Sequence, residues 1–196
     1  MKFTTLAKIA GALALAAGLA GCIDMTNDIY VTSTTTAKAT ITSTMGSDIY
    51  AMVKSGGNEG DDPFCKAEGE TLTENEDGSA TCVAISEGAF ADLKFDDSGS
   101  KPVITAQDDG TVRIAIATKD MVGDLGADGD PQTAAMLKQM FDGRFLTIRF
   151  GGKEIVESNM EAAPDSSEYV EIKIPFIELL DGTAKLPEEL YAVIRP

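Results

Sequence analysis

Histidine and tryptophan are both absent from the 196 residues, and cysteine occurs only three times. Without histidine there is no Ser-His-Asp triad, no Cys-His pair and no His-ligated zinc site. Cations are scarce as well: 16 Lys and Arg face 32 Asp and Glu, for a net charge of −16. Nucleic-acid binding needs clustered Lys and Arg on phosphates, and that footprint is missing. What the chain does have is an apolar fraction of 43%, enough at this length for one domain with its own core.

The first 21 residues contain Lys2 and Lys8 and no acid, followed by an apolar run from Ile9 to Ala20. A stretch of about 12 apolar residues is too short to span a bilayer and reads as a secretory signal. It ends in Leu19-Ala20-Gly21-Cys22, which resembles the lipobox of bacterial lipoproteins. The alternative is an ordinary signal with an incidental cysteine. The resemblance implies that residues 1–21 are removed and that a multiply acylated Cys22 becomes the N-terminus. One acyl chain anchors only marginally, whereas two or three hold stably. Ile23 follows the cysteine where Asp would imply retention. The family pattern therefore implies the outer membrane, with the domain facing the periplasm.

Loss of the leader leaves 14 cations against 32 acids, a net charge of −18. Such a domain stays solvated and is repelled by anionic bilayer surfaces beyond its anchor. Once Cys22 carries lipid, Cys65 and Cys82 remain as an even pair in an oxidising compartment. A disulfide between them closes a loop of about 18 residues, contributing about 3 kcal/mol on the chain-entropy view. Two free buried thiols are the alternative; a redox-active pair lacks the CxxC spacing. Strand-like sequence begins near Ile29, which makes residues 22–28 a tether reaching roughly 20 Å and 29–196 a single domain.

Alternating apolar and polar residues recur through that domain. Ile29 and Val31 alternate with Tyr30 and Thr32, and Ala37, Ala39 and Ile41 with Lys38, Thr40 and Thr42. Ser47 can cap a short helix bearing Ile49, Met52 and Val53. One hairpin is expected around Asn75-Glu76-Asp77-Gly78 and a second around Asp108-Asp109-Gly110, the latter with Val112, Ile114 and Ile116 on one face. A helical segment is expected over Ala89 to Lys94. A longer helix follows, capped by Asp130, with Pro131 in its first turn and Gly143 at its end. Strands then fall at Leu146 to Phe150, at Ile155 and Val156 after a Gly151-Gly152 turn, at Val170 to Ile174 and at Leu190 to Ile194. The expected fold is α+β: an antiparallel sheet of hairpins, solvated on one face, with two or three helices packed on the other.

Chemistry is hard to place in this pattern. A glycosidase needs two carboxylates roughly 5 to 10 Å apart across a cleft, but most acids here fall in turns (Asp61, Asp62, Asp108, Asp109) or on strand faces (Glu171). Asp124, Asp128 and Asp130 form a Gly-containing loop of the kind calcium uses, yet Gly126 and Ala135 occupy positions where an EF-hand has ligands. They serve equally as a turn and a helix cap, so neither metal nor cofactor is expected. There is no G-x-S-x-G motif, and Lys38, Lys119 and Lys153 read as exposed rather than as buried bases. Met45, Met52, Met121, Met136, Met140 and Met160 could line an adaptable apolar groove or form plain core.

The order of elements is similar to that of the LppM-type lipoprotein domain. In both, a hairpin follows the lipidated cysteine and a helix comes next. Later, a strand such as Phe145-Leu146-Thr147-Ile148-Arg149-Phe150 leads toward Ile155-Val156-Glu157-Ser158-Asn159. The Cys65/Cys82 pair and the lack of an obvious C-terminal membrane helix depart from that pattern. The resemblance implies an envelope role with lipid or glycolipid binding and carries over no catalytic residue. The sequence-level expectation is a non-enzymatic, lipid-anchored protein that binds an amphiphile or a membrane partner near the bilayer. The alternative is a scaffolding protein recognising another envelope protein, with a carboxylate hydrolase as a distant third.

Overall fold

The computed structural model describes residues 23–56, 64–67, 69–93, 95, 101–119, 121, 135, 138 and 141–196. Among them, β1 (Ile23–Val31) turns through residues 32–35 into the antiparallel β2 (Thr36–Met45). The Ser33 hydroxyl fixes that turn by accepting hydrogen bonds from the Thr35 and Thr36 amides. β2 pairs with β4 (Ala80–Ala89), which pairs with β3 (Glu70–Glu74). On its other side β1 runs parallel to β7 (Phe145–Gly151), followed by β10 (Tyr169–Pro175) and the two-residue β9 (Glu161–Ala162). The result is a seven-stranded mixed sheet. A second, four-stranded sheet orders β5 (Val103–Ala106), β6 (Val112–Ala117), β11 (Glu189–Arg195) and β8 (Glu154–Ser158).

The two sheets face each other over the main core. Ala37, Ala39, Ile29, Val31, Ile148, Phe150 and Val170 of the large sheet pack with Val112, Ile114, Ile116, Leu190, Ala192 and Ile194 of the small one. The period-2 alternation seen in the sequence makes this possible, because successive side chains point to opposite faces. Helix α1 (Ser47–Gly56) covers a smaller cluster of Met45, Tyr50 and Ala80. Helix α2 (Phe176–Leu180) buries Phe176 and Leu179 against Ile174. Both clusters use inward-facing residues of the large sheet. Its opposite face carries Thr26, Thr40, Thr42, Thr44 and Thr147 and no described helix.

Several expectations need correction. The chain is mostly β, and a second sheet, rather than two or three helices, covers the inner face of the first. The large sheet is not wholly antiparallel, since β1 and β7 are parallel. β1 begins at Ile23, so the residues expected as a tether to position 28 are already strand. The segment expected as helix over Ala89 to Lys94 is a 3-10 turn at Phe90–Asp92, with Lys94 outside the described residues. Of the helix expected between Asp130 and Gly143, Ala135, Lys138 and Phe141 are described as helical and Asp142-Gly143 as a turn, with Gly143 at φ 71° ending it as expected, while the rest lies outside the described residues.

Gly151-Gly152 is also not a hairpin turn. β7 belongs to one sheet and β8 to the other, so these residues carry the chain across the sandwich. A Cβ on Gly151 would lie 2.5 Å from the Tyr169 ring, and one on Gly152 would lie 2.3 Å from Ile194 Cγ2. Steric room for the crossing exists only without side chains, which periodicity alone does not reveal.

Candidate functional site

The residues singled out in the sequence disperse. Cys22 lies outside the described residues, as do Asp61, Asp62, Asp124, Asp128 and Asp130. Cys65 and Cys82 are joined by a disulfide with a Cα–Cα distance of 5.6 Å. The bond ties the segment before β3 to the inner face of β4, beside the Tyr50 and Phe64 rings, whose centroids are 6.3 Å apart. Glu70 approaches both sulfurs, but oxidised sulfurs are not thiolate ligands. Its carboxylate instead accepts the Ala67 amide at 2.9 Å.

The methionines do not share a groove. Met45 is core, Met52 is 62% exposed, and Met121 and Met160 pack half-buried on the main core. Met136 and Met140 lie outside the described residues. Lys119 and Lys153 are exposed, whereas Lys38 is half-buried. Asp109 closes the β5–β6 turn, accepting the Thr111 amide at 3.0 Å and its hydroxyl at 2.6 Å.

Two concave regions stand out among the described residues. The larger, of about 470 Å³, runs along β10 and the segment after α2, lined by Ile172, Ile174, Pro175 and Leu186 with Lys173, Glu178 and Lys185. β9 pairs only with Val170 and Glu171, so the lower part of β10 has no strand on that side among the described residues. This groove belongs to the end of the sheet where the chain enters. Met25 is in register with Leu146, and Leu146 with Ile174. At roughly 4.8 Å per strand, Ile174 lies about 10 Å across the sheet from Met25. Asp24 locks that entry: its carboxylate accepts the Phe145 amide at 2.9 Å and Arg144 Nη1 at 2.6 Å.

The second is a cleft of about 270 Å³ on the solvated face, lined by Asp28, Tyr30, Lys38, Thr40 and Tyr169. Next to it, Arg149 is flanked by three carboxylates: Asp28 Oδ1 at 3.5 Å, Glu171 Oε2 at 3.4 Å and Asp165 Oδ1 at 2.6 Å. The guanidinium also stacks on Tyr169, 4.5 Å from the ring centroid. Strand register explains the gathering, because Asp28, Arg149 and Glu171 occupy one cross-strand row. Burial pushes the Asp28 carboxyl up from its ordinary value and Arg149 partly offsets that. Burial likewise raises the Tyr169 hydroxyl, with the charge of Asp28 adding to it. Sequence reading placed Glu171 on a solvated strand face and did not single out Arg149 or Asp28; alternation shows which face they share, but only register makes them neighbours.

No family model matches the chain, and no curated protein matches it either. Among solved structures, the folded domain of the LppM protein of Mycobacterium tuberculosis is similar. The match covers 90% of this chain and 91% of that one, at a TM-score of 0.48 and 13% identity. At that score the similarity carries no functional argument.

Proposed function

We propose that this protein is a membrane-anchored envelope lipoprotein, held by acylated Cys22, whose domain binds an amphiphile at the bilayer surface without catalysing a reaction. The observation that carries this reading is the position of the larger groove. It opens at the end of the sheet where β1 begins at Ile23, the end at which a lipid carried by the preceding cysteine would attach. Its lining suits an amphiphile, with Ile172, Ile174 and Leu186 for an apolar portion and Lys173 and Lys185 for a polar one. Between the sheets, Phe150, Ile114, Ile148, Leu190 and Ile194 are fully buried core residues, which favours the groove over the interior as the place for a lipid. The proposed location is the outer membrane, facing the periplasm, on the resemblance of Cys22-Ile23 to the export pattern of lipoproteins.

Native mass spectrometry of the full mature protein, gently extracted from membranes, tests the reading. The expected result is a bound amphiphile that is lost in Leu186→Glu; a bare mass in the unsubstituted protein would sink it. Cys22→Ser should release the protein from membranes, and continued tight association would remove the anchor. The scaffolding alternative draws on Val103 and Val156, 65% and 46% exposed on the two edge strands of the small sheet. Cross-linking at these positions to one abundant envelope protein, with no lipid in the mass, would favour it.

A further inference from the structure

The cleft on the solvated face holds two opposite charges that do not meet. Lys38 is in register with Tyr30 and Thr40 with Asp28, so Lys38 and Asp28 are diagonal neighbours across β1 and β2. Such diagonal pairs have Cα atoms roughly 7–8 Å apart, within reach of a lysine side chain. Lys38 makes no salt bridge within 4 Å among the described residues, although Glu87 stands opposite it on β4, and Asp28 Oδ1, 3.5 Å from Arg149 Nε, is buried without a hydrogen bond. Thr40 lines the cleft beside them. Tyr30 and Tyr169 supply an aromatic wall with ring centroids 5.5 Å apart. Gly151 is what lets Tyr169 reach there, since the ring occupies the space that a Cβ would take.

We propose that this cleft binds a small zwitterion of the α-amino-acid type, free or as the terminal unit of a larger molecule. The ammonium lies between Asp28, which it shares with Arg149, and the Tyr30 ring, since Tyr169 already stacks on Arg149, and cation–π attraction adds to the ion pair. The carboxylate meets Lys38, and the Thr40 hydroxyl is available to bridge the two. A volume of about 270 Å³ falls below the range typical of drug-sized ligands, which limits the occupant to a small group. Anions without an ammonium are disfavoured by Asp28 and the neighbouring Asp165 and Glu171. Cations without a carboxylate meet Lys38 unpaired. The proposal does not depend on the amphiphile groove, which lies elsewhere on the sheet.

Amide NMR shifts of the full mature protein in detergent micelles, titrated separately with D-alanine, L-alanine, ethylamine, propionate and glucose, provide the test. At least one alanine enantiomer should give saturable shifts centred on residues 28–30, 38–40 and 169. Ethylamine and propionate should bind about ten-fold more weakly, and Lys38→Met should weaken alanine by a similar factor. Spectral dispersion of the Lys38→Met protein reports whether it remains folded, and Lys38→Arg should retain binding. Silence from both enantiomers up to about 10 mM, well above the dissociation constant of a weak millimolar ligand, would overturn the proposal. So would unchanged alanine affinity in a folded Lys38→Met protein, or glucose binding at these residues with alanine silent.

Discussion

The two ends of the seven-stranded sheet are built differently. At the far end, residues 29–31, 37–39 and 148–150 are roofed by a second sheet, and the core there contains fourteen buried residues in one cluster. At the entry end, residues 23–25, 43–45 and 172–175 are covered by α1 and α2 over two clusters of three buried residues each. A disulfide and the Asp24 clamp hold the smaller clusters in place. Burial of apolar area scales with the amount of packed surface, so the sandwich end carries most of the stability. The entry end relies on cross-links and polar clamps, and there the sheet leaves a groove open.

The comparison can be broken at its strongest point first. Phe150→Ala removes a fully buried ring from between the sheets and should cost about 3–5 kcal/mol. Urea denaturation should show the whole domain losing stability together, and a loss below about 1 kcal/mol would mean that the sandwich end is not the dominant core.

Removing the disulfide addresses the entry end. The double substitution Cys65→Ser and Cys82→Ser should cost about 3 kcal/mol. Amide hydrogen exchange should rise in β3, β4 and α1 more than in β6 and β11. Equal acceleration in both sheets would show that the two ends unfold as one unit.

The smallest expected effect compares two turns of the same chemistry, one in each region. Asp77 accepts the amide and hydroxyl of Ser79, and Asp109 accepts those of Thr111. These hydrogen bonds favour the ionised carboxylates and hold both below the ordinary value of 3.8. A depressed folded-state value means stability that is fully present above about pH 4 and is lost as pH falls through the lowered values. Asp109→Asn should therefore flatten the acid loss of global stability, read from denaturation at stepped pH. Asp77→Asn should act mainly on hydrogen exchange around β3 and β4. An unchanged pH profile in both variants would remove the turns as acid-sensitive elements.

Much of the strand pattern was legible in the chain. The hairpins at Asp77-Gly78 and Asp109-Gly110, helix α1 after Ser47 and the buried sets Ile29/Val31, Val112/Ile114/Ile116 and Ile148/Phe150 follow from alternation and turn chemistry. The arrangement of those strands was not. Alternation marks the buried side of a strand but not the layer that covers it, so a second sheet and a set of helices look alike. The parallel pairing of β1 with β7 joins residues about 120 positions apart and leaves no local trace. Helix α2, at five residues, is too short for a helical stripe to stand out.

The sequence by itself determined the short apolar run ending in Leu19-Ala20-Gly21-Cys22, the acidic balance, the exclusion of histidine chemistry and the side of each strand that faces inward. These are local or compositional properties, set by residue type and by a period of two. The tertiary structure decided which strands are neighbours. Only that placed Arg149 among Asp28, Asp165 and Glu171, set Lys38 diagonally from Asp28, and put the groove along β10 at the end where β1 begins. The physical reason is that a strand's side chains have a direction without a partner until backbone hydrogen bonding fixes its register.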